Sequence, residues 1–200
     1  VPKLTPERAE ARRKQIIDGA VACFARNGFH KTTMQDIVRA CGLSPGAIYC
    51  HFNGKHDIVL AAVAERHGRE RDLVRRASDE PDWARSLERI AADFLEPLTT
   101  RDERLWRELT IQLWAESLRD RRIRKLARDG VDAPRALLAA TMREAKHRGE
   151  LPAGLDVDAA ARLLIAMFQG LVLQLAWDDT VDVAACATAA KALLLNRRVG

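Results

Sequence analysis

The sequence predicts an all-α protein: an N-terminal three-helix helix-turn-helix head followed by a C-terminal helical bundle, about nine helices in all. Three observations predict it. Only 11 glycines and 7 prolines punctuate 200 residues, and long stretches contain neither. Apolar residues recur at three- and four-residue spacing through most of the chain, the repeat of helix faces. Residues 32–55, TTMQDIVRACGLSPGAIYCHFNGK, spell two short helices separated by a tight glycine turn.

The first helix opens at Thr5, a capping hydroxyl, with Pro6 at the first helical position, where a missing N–H costs nothing. Ile16, Ile17, Ala20, Val21 and Phe24 form its apolar stripe, and Gly28 closes it. Its early turns, Arg8 to Lys14, are basic, which suits either a solvated face or phosphate contact. The second helix is expected to be capped by Thr32, with Gln35 completing a capping box, and to end at Gly42. Ser44 and Pro45 then start a third, carrying Ala47, Ile48 and Phe52 at helical spacing. Helix, short turn, helix is the arrangement that lays a second helix in the major groove of double-stranded DNA. Tyr49, His51 and Lys55 fall on or just beyond the outer side of that helix and are donors suited to phosphates.

Asn53-Gly54 breaks the chain, and a fourth helix runs from Lys55 to about Ser78. Its first half is apolar and its second charged, as in a lever between two domains. Trp83, Leu87, Ile90, Phe94 and Leu95 make the next helix, ending near Pro97. Thr100 with Glu103 opens another through Leu105, Leu109, Leu113 and Leu118. Residues 120–149 are basic on one face, and Gly130 and Pro134 are expected to break or kink that helix. Asp156 caps a helix that is apolar nearly all round to Trp177 and therefore expected to be buried on every side. Val183 to Leu195 is a last, alanine-rich helix. The expected division is a helix-turn-helix domain over 1–52 and a second helical domain over 53–200.

Phe24, Gly28, Phe29, Thr32, Thr33, Ile37, Ala40, Gly42, Ser44, Gly46, Ile48, Tyr49, Phe52 and Lys55 fall in one register. Over residues 13–63 the chain resembles the DNA-binding domain of the TetR family of bacterial transcriptional regulators. Three positions depart from the family pattern: Val38 stands for a small alanine, Pro45 for a basic residue and Ala47 for threonine. The resemblance implies that 1–52 is a DNA-binding domain and 53–200 a ligand-binding and dimerisation domain. It also implies a homodimer on double-stranded DNA, with repression relieved by a small-molecule effector held among the C-terminal helices. A regulator with no effector is the alternative. Thr33, Tyr49, His51 and Lys55 are expected to hold phosphates, while Pro45, Gly46, Ala47 and Cys50 face the bases beside the cap Ser44. Trp106, Thr110, Leu113, Trp114, Met142, Met167, Gln169 and Gly170 are expected to line the effector site, with Gln112 a further polar anchor. Aromatic, thioether and a few polar side chains suit an apolar or aromatic effector that is neutral or weakly charged.

Composition fits this and excludes much else. The chain is 48% hydrophobic and 30% charged, ordinary for a globular protein. Residues 1–55 carry nine basic against four acidic side chains, so the first quarter holds the whole net charge of +5, the footprint of a DNA-binding head. The five histidines are scattered, and no glycine-rich phosphate loop or HExxH pair occurs, so neither catalysis nor a cofactor is expected. The four cysteines show no metal spacing and suit a reducing cytoplasm. No signal peptide is expected. The apolar run at 163–177 is too short for a bilayer and interrupted by Gln169 and Gln174, so no membrane association is expected.

Overall fold

The computed structural model describes residues 5–195. Among these residues the chain is helical without strands: α1 (Pro6–Asn27), α2 (Met34–Cys41), α3 (Pro45–Tyr49), α4 (Lys55–Ser78), α5 (Trp83–Leu95), α6 (Arg101–Glu116), α7 (Arg121–His147), α8 (Val157–Trp177) and α9 (Val183–Leu195). A 3-10 turn, Glu96–Thr99, joins α5 to α6. The helices fall into two compact units. The first comprises Val1–Arg66 with Glu108–Ala127, the second His67–Arg107 with Arg128–Gly200. Helices α4, α6 and α7 therefore each contribute to both.

In the first unit, α1 supplies the spine. Ile16, Ile17, Ala20, Val21 and Phe24 are all buried, as the stripe predicts. Ile37 and Cys41 of α2, Ile48 of α3, Phe52, and Ile58 and Val59 of α4 are buried as well. Thr5 accepts from Arg8 N at the helix start, and Gly28 ends the helix at φ 83°, a conformation β-carbons resist. Gly19 is a packing glycine: a Cβ there would lie 2.6 Å from Cys41 Sγ. The helix-turn-helix packs this tightly because α1 and α2 cross at that point.

The second helix begins one residue later than the spacing suggests. Thr33, not Thr32, is the N-cap, and its partner in the capping box is Asp36 rather than Gln35. Asp36 Oδ2 accepts from Thr33 N at 2.9 Å, while Asp36 N donates to Thr33 Oγ1. Thr32 is instead fully buried and donates its hydroxyl to Gly28 O and Cys23 O, closing the turn after α1. Gly42 ends α2 in the left-handed region, φ 64°, as expected. Ser44 Oγ accepts from Ala47 N to start α3.

In the second unit the core is Trp83, Leu87, Leu138, Ala139, Met142, Ala145, Leu151, Val157 and Ala161. Asp82 caps α5, and Glu150 accepts from Trp83 N at 2.7 Å. Helix α7 runs on through Gly130 and Pro134, so the break that these residues could cause does not occur. Gly130 serves packing: a Cβ there would strike the His67 ring. The proline sacrifices one helical bond, and the core face Leu138, Ala139, Met142 and Ala145 outweighs that loss. Beyond α6, Leu118 is 76% exposed instead of continuing the helix's apolar stripe, because α6 ends at Glu116.

Helix α8 also differs from expectation. Val157, Ala161, Val172 and Leu175 face inward, but Leu163 (65%), Met167 (45%) and Trp177 (69%) are exposed within the single chain. The helix is 21 residues long with a stretch of mean hydropathy 1.6, so length and composition alone would let it cross a bilayer, contrary to the shorter run read from sequence.

Candidate nucleic-acid interface

The face built by α2, α3 and their turn presents the residues the sequence singles out. Ser44, Pro45, Gly46, Tyr49 and Cys50 are exposed, Ala47 is half-buried, and a Cβ on Gly46 would meet nothing within 4 Å. Ile48 beneath them is fully buried and anchors the helix to the core. The third helix is short. Its regular part ends at Tyr49, and the chain continues through Cys50 and His51 by bonds from Cys50 N to Gly46 O and from Phe52 N to Ile48 O. Tyr49 leaves 52% of its surface exposed. His51 is half-buried, its ring 6.4 Å from that of Phe52.

Electrostatics fix the turn before α2. The Thr33 hydroxyl and amide, together with the Arg39 guanidinium, hold the Asp36 carboxyl down at about 2. Asp36 is thus ionised throughout the physiological range and the capping box stays closed. It also occupies the Thr33 hydroxyl, which donates to Asp36 Oδ2 at 2.7 Å. What remains open at Thr33 is an exposed helix start, where an anion is favoured.

Lys55 has a different place from the one its position suggests. Its ammonium donates to Phe29 O, His30 O and Thr32 O, each at 2.9 Å, and lies 5.1 Å from the Phe29 ring centroid. All three of its protons are spent on the α1–α2 turn. Lys55→Met is therefore expected to lower Tm by about 4–8 °C, from charged hydrogen bonds worth on the order of 2 kcal/mol. The log–log salt slope of DNA binding should not change. A slope smaller by about one would return Lys55 to the phosphate contacts. Arg13 is likewise engaged, with Glu65 at 3.1 Å and over the Phe52 ring at 5.7 Å, whereas Arg8 near the helix start is exposed.

Two side chains that position this face escape a reading of sequence. Gln112 of α6 accepts from Phe29 N at 2.9 Å and donates to Phe24 O at 3.4 Å. Glu116, one turn on, lies 2.7 Å from His30 Nε2. Both act on the turn that Lys55 also holds. Gln112 is thus a clasp on the head. Nothing local in the sequence signals a contact across more than eighty residues.

The eight expected effector residues are not brought together in one unit. Thr110, Leu113 and Trp114 belong to the first unit, and Trp106, Met142, Met167, Gln169 and Gly170 to the second. Met142 is a core residue packed with Trp83 and Leu138, and Met167 is exposed. Leu113 is buried, and Trp106, Thr110, Trp114, Gln169 and Gly170 are half-buried. Among the described residues no group of three or more His, Cys, Asp and Glu is placed to hold a metal, and the four cysteines are free.

A helix-turn-helix head with an exposed short third helix, followed by an all-helical second unit, defines a one-component DNA-binding regulator. Comparison with known proteins agrees. The family model of bacterial regulatory proteins, tetR family, matches residues 16–62, and that of the BetI-type transcriptional repressor C-terminal domain matches residues 83–197. The transcriptional regulator TtgR of Pseudomonas putida is 29% identical over 201 residues, covering 90% of this chain and 87% of its own. The structure of Salmonella enterica GusR superposes with a TM-score of 0.76 at 27% identity, over 98% of this chain and 100% of that one. A transcriptional regulator of Saccharomonospora viridis, solved in complex with choline, gives 0.76 at 25% identity, over 94% and 97%. The chain belongs to the TetR family: it is a DNA-binding transcriptional regulator and not an enzyme.

Proposed function

We propose that the protein is a cytoplasmic repressor that sits as a homodimer on a palindromic operator and leaves it when a small molecule binds the helical region beyond residue 52. The observation that carries the DNA side is the open face of α3: Pro45, Gly46, Ala47 and Cys50 toward base edges, flanked by Thr33, Ser44, Tyr49 and His51 for phosphates. Repression is supported by the match of 115 residues, 83–197, to a repressor C-terminal domain, and effector binding by the choline complex of a relative. The effector is small and mostly apolar, as the Trp, Met and Leu content of α6 to α8 suggests.

Release requires differential affinity. Reversing a 99:1 preference between bound and released states takes about 5.5 kcal/mol, and operator DNA must weaken effector binding by the same factor. The test selects genomic fragments on the protein, then titrates the recovered operator complex with compounds that raise Tm. Recovered sites should be inverted repeats, and at least one stabilising compound should lower operator affinity reciprocally. Asymmetric sites sink the palindrome; stabilising compounds that all leave operator affinity unchanged sink the release.

A further inference from the structure

One charged group in the second unit is left without a counterpart. Arg107, in the second turn of α6, leaves 8% of its surface exposed, yet its guanidinium makes a single donation, from Nη1 to Leu98 O at 2.9 Å. Its Nε is buried with no acceptor. Among the described residues no carboxylate pairs with it. Arg135 in the same unit makes the contrast: its Nε is also without an acceptor, but its charge faces Asp132 at 3.5 Å and Asp158 at 3.8 Å. A guanidinium cannot shed its proton to escape burial, so an unpaired one is strongly unfavourable and persists where an anion arrives to meet it.

We propose that Arg107 is the anion-binding residue of the effector site and that the effector is an organic acid, an apolar body bearing one carboxylate. This rests on the effector reading above and adds one charged head group to its apolar body. With Nη1 held by the carbonyl of Leu98, the Nε–Nη2 edge remains, and that edge takes a planar carboxylate through two parallel bonds. A single unpaired positive charge matches a single negative one, which favours a carboxylate over a dianionic phosphate. The carbonyl it grips belongs to the 3-10 turn Glu96–Thr99, which packs on α5 and α9, so the acid would sit against a bend and not on a rigid helix face.

The experiment uses matched acids and amides, 4-phenylbutyrate with 4-phenylbutyramide and octanoate with octanamide, on the whole 200-residue chain. Calorimetry should give the acids at least about tenfold tighter Kd than their amides, the range for hydrogen bonds to a charged group. Arg107→Lys should weaken the acids about tenfold, because the bidentate fork is lost, and leave the amides unchanged. A second readout needs no variant to fold well: in 15N-arginine-labelled wild type, the buried Arg107 Nε–H resonance should move downfield with acid and stay still with amide. Amides that bind as tightly as acids, acids that do not bind, or an Nε–H signal unmoved by a bound acid would each overturn the proposal. A neutral compound that releases operator DNA would leave the effector reading standing while this one fails. An acid that binds at Arg107 with operator affinity unchanged would do the reverse.

Discussion

Leu163→Glu with Met167→Glu is expected to give a folded monomer that binds operator DNA about 10²–10⁴-fold more weakly than the parent. The argument starts from α8. Residues 163, 167, 170, 174 and 177 follow one another at three- and four-residue steps and so run along one stripe. Leu163, Met167 and Trp177 on it are exposed, and on α9 so are Ala184, Ala185, Cys186, Ala189 and Leu193. The opposite stripe, through Ala161, Val172 and Leu175, is buried in the subunit. An apolar stripe of this length on the outside suits a two-fold interface in which α8 and α9 meet their own copies as a four-helix arrangement. Glutamates at 163 and 167 would face like charges across the axis and desolvate them. Each subunit's own core is untouched, so far-UV circular dichroism should keep its helical signal. The loss on DNA is avidity: one head on one half-site gains nothing from its neighbour. Leu118→Glu is the control, since Leu118 is equally exposed but lies off the stripe. Sedimentation at micromolar concentration decides it. A monomeric wild type, or a doubly substituted protein that stays dimeric, rejects the interface.

How far such features can be read in advance depends on where their causes lie. The caps at Thr5, Ser44 and Asp156, and the glycine stops at 28 and 42, are local chemistry, and the helix boundaries follow from them almost residue for residue. The family resemblance over 13–63 was legible for the same reason: a helix-turn-helix is short enough for its packing rules to sit within one stretch. Thr32 and Thr33 show the limit of local reading. Both can cap, and the choice falls to Thr33 because Asp36 reaches its amide while Thr32 is drawn into the core by two carbonyls. The bonds of Lys55 are hidden from a local reading because its carbonyl partners come from a turn more than twenty residues earlier. Gln112 is the same problem at greater range. Helix α8 illustrates another: an apolar pattern says that a face avoids water, not which chain covers it. The unbroken α7 shows tertiary packing overriding a proline. Arg107 carries no pattern at all; only its burial makes it conspicuous.

Raising salt from about 50 to 200 mM is expected to weaken operator binding by about 10³–10⁵-fold, a log–log slope on the order of −5 to −9 for about 6–10 phosphate contacts per dimer. The charge that drives this is concentrated in the first 55 residues, and two heads double it. Not every basic residue there contributes. Lys55 is spent on three carbonyls, and Lys14 is paired with Asp18 at 2.9 Å. The steepness then depends on what remains: Arg8 and Lys31, exposed, and the start of α2 with its unpaired N–H groups, assisted by the neutral donors Ser44 and Tyr49. This separation gives the substitutions different signatures. Tyr49→Phe removes a phosphate donor that carries no charge. It should weaken all sequences alike, about five- to tenfold, and leave the slope in place. Arg8→Ala should weaken all sequences and flatten the slope, by about one for each phosphate lost. Ala47→Thr adds a hydroxyl and a methyl where α3 meets base edges. It should redistribute preference among operator variants by about 1–3 kcal/mol at a single base pair while the slope stays fixed. Titrating each protein against the selected operator and a scrambled duplex at four salt concentrations separates the three behaviours. If wild-type affinity barely responds to salt, the head does not bind through phosphates, and the assignment of α3 and its flanks to the groove fails with it.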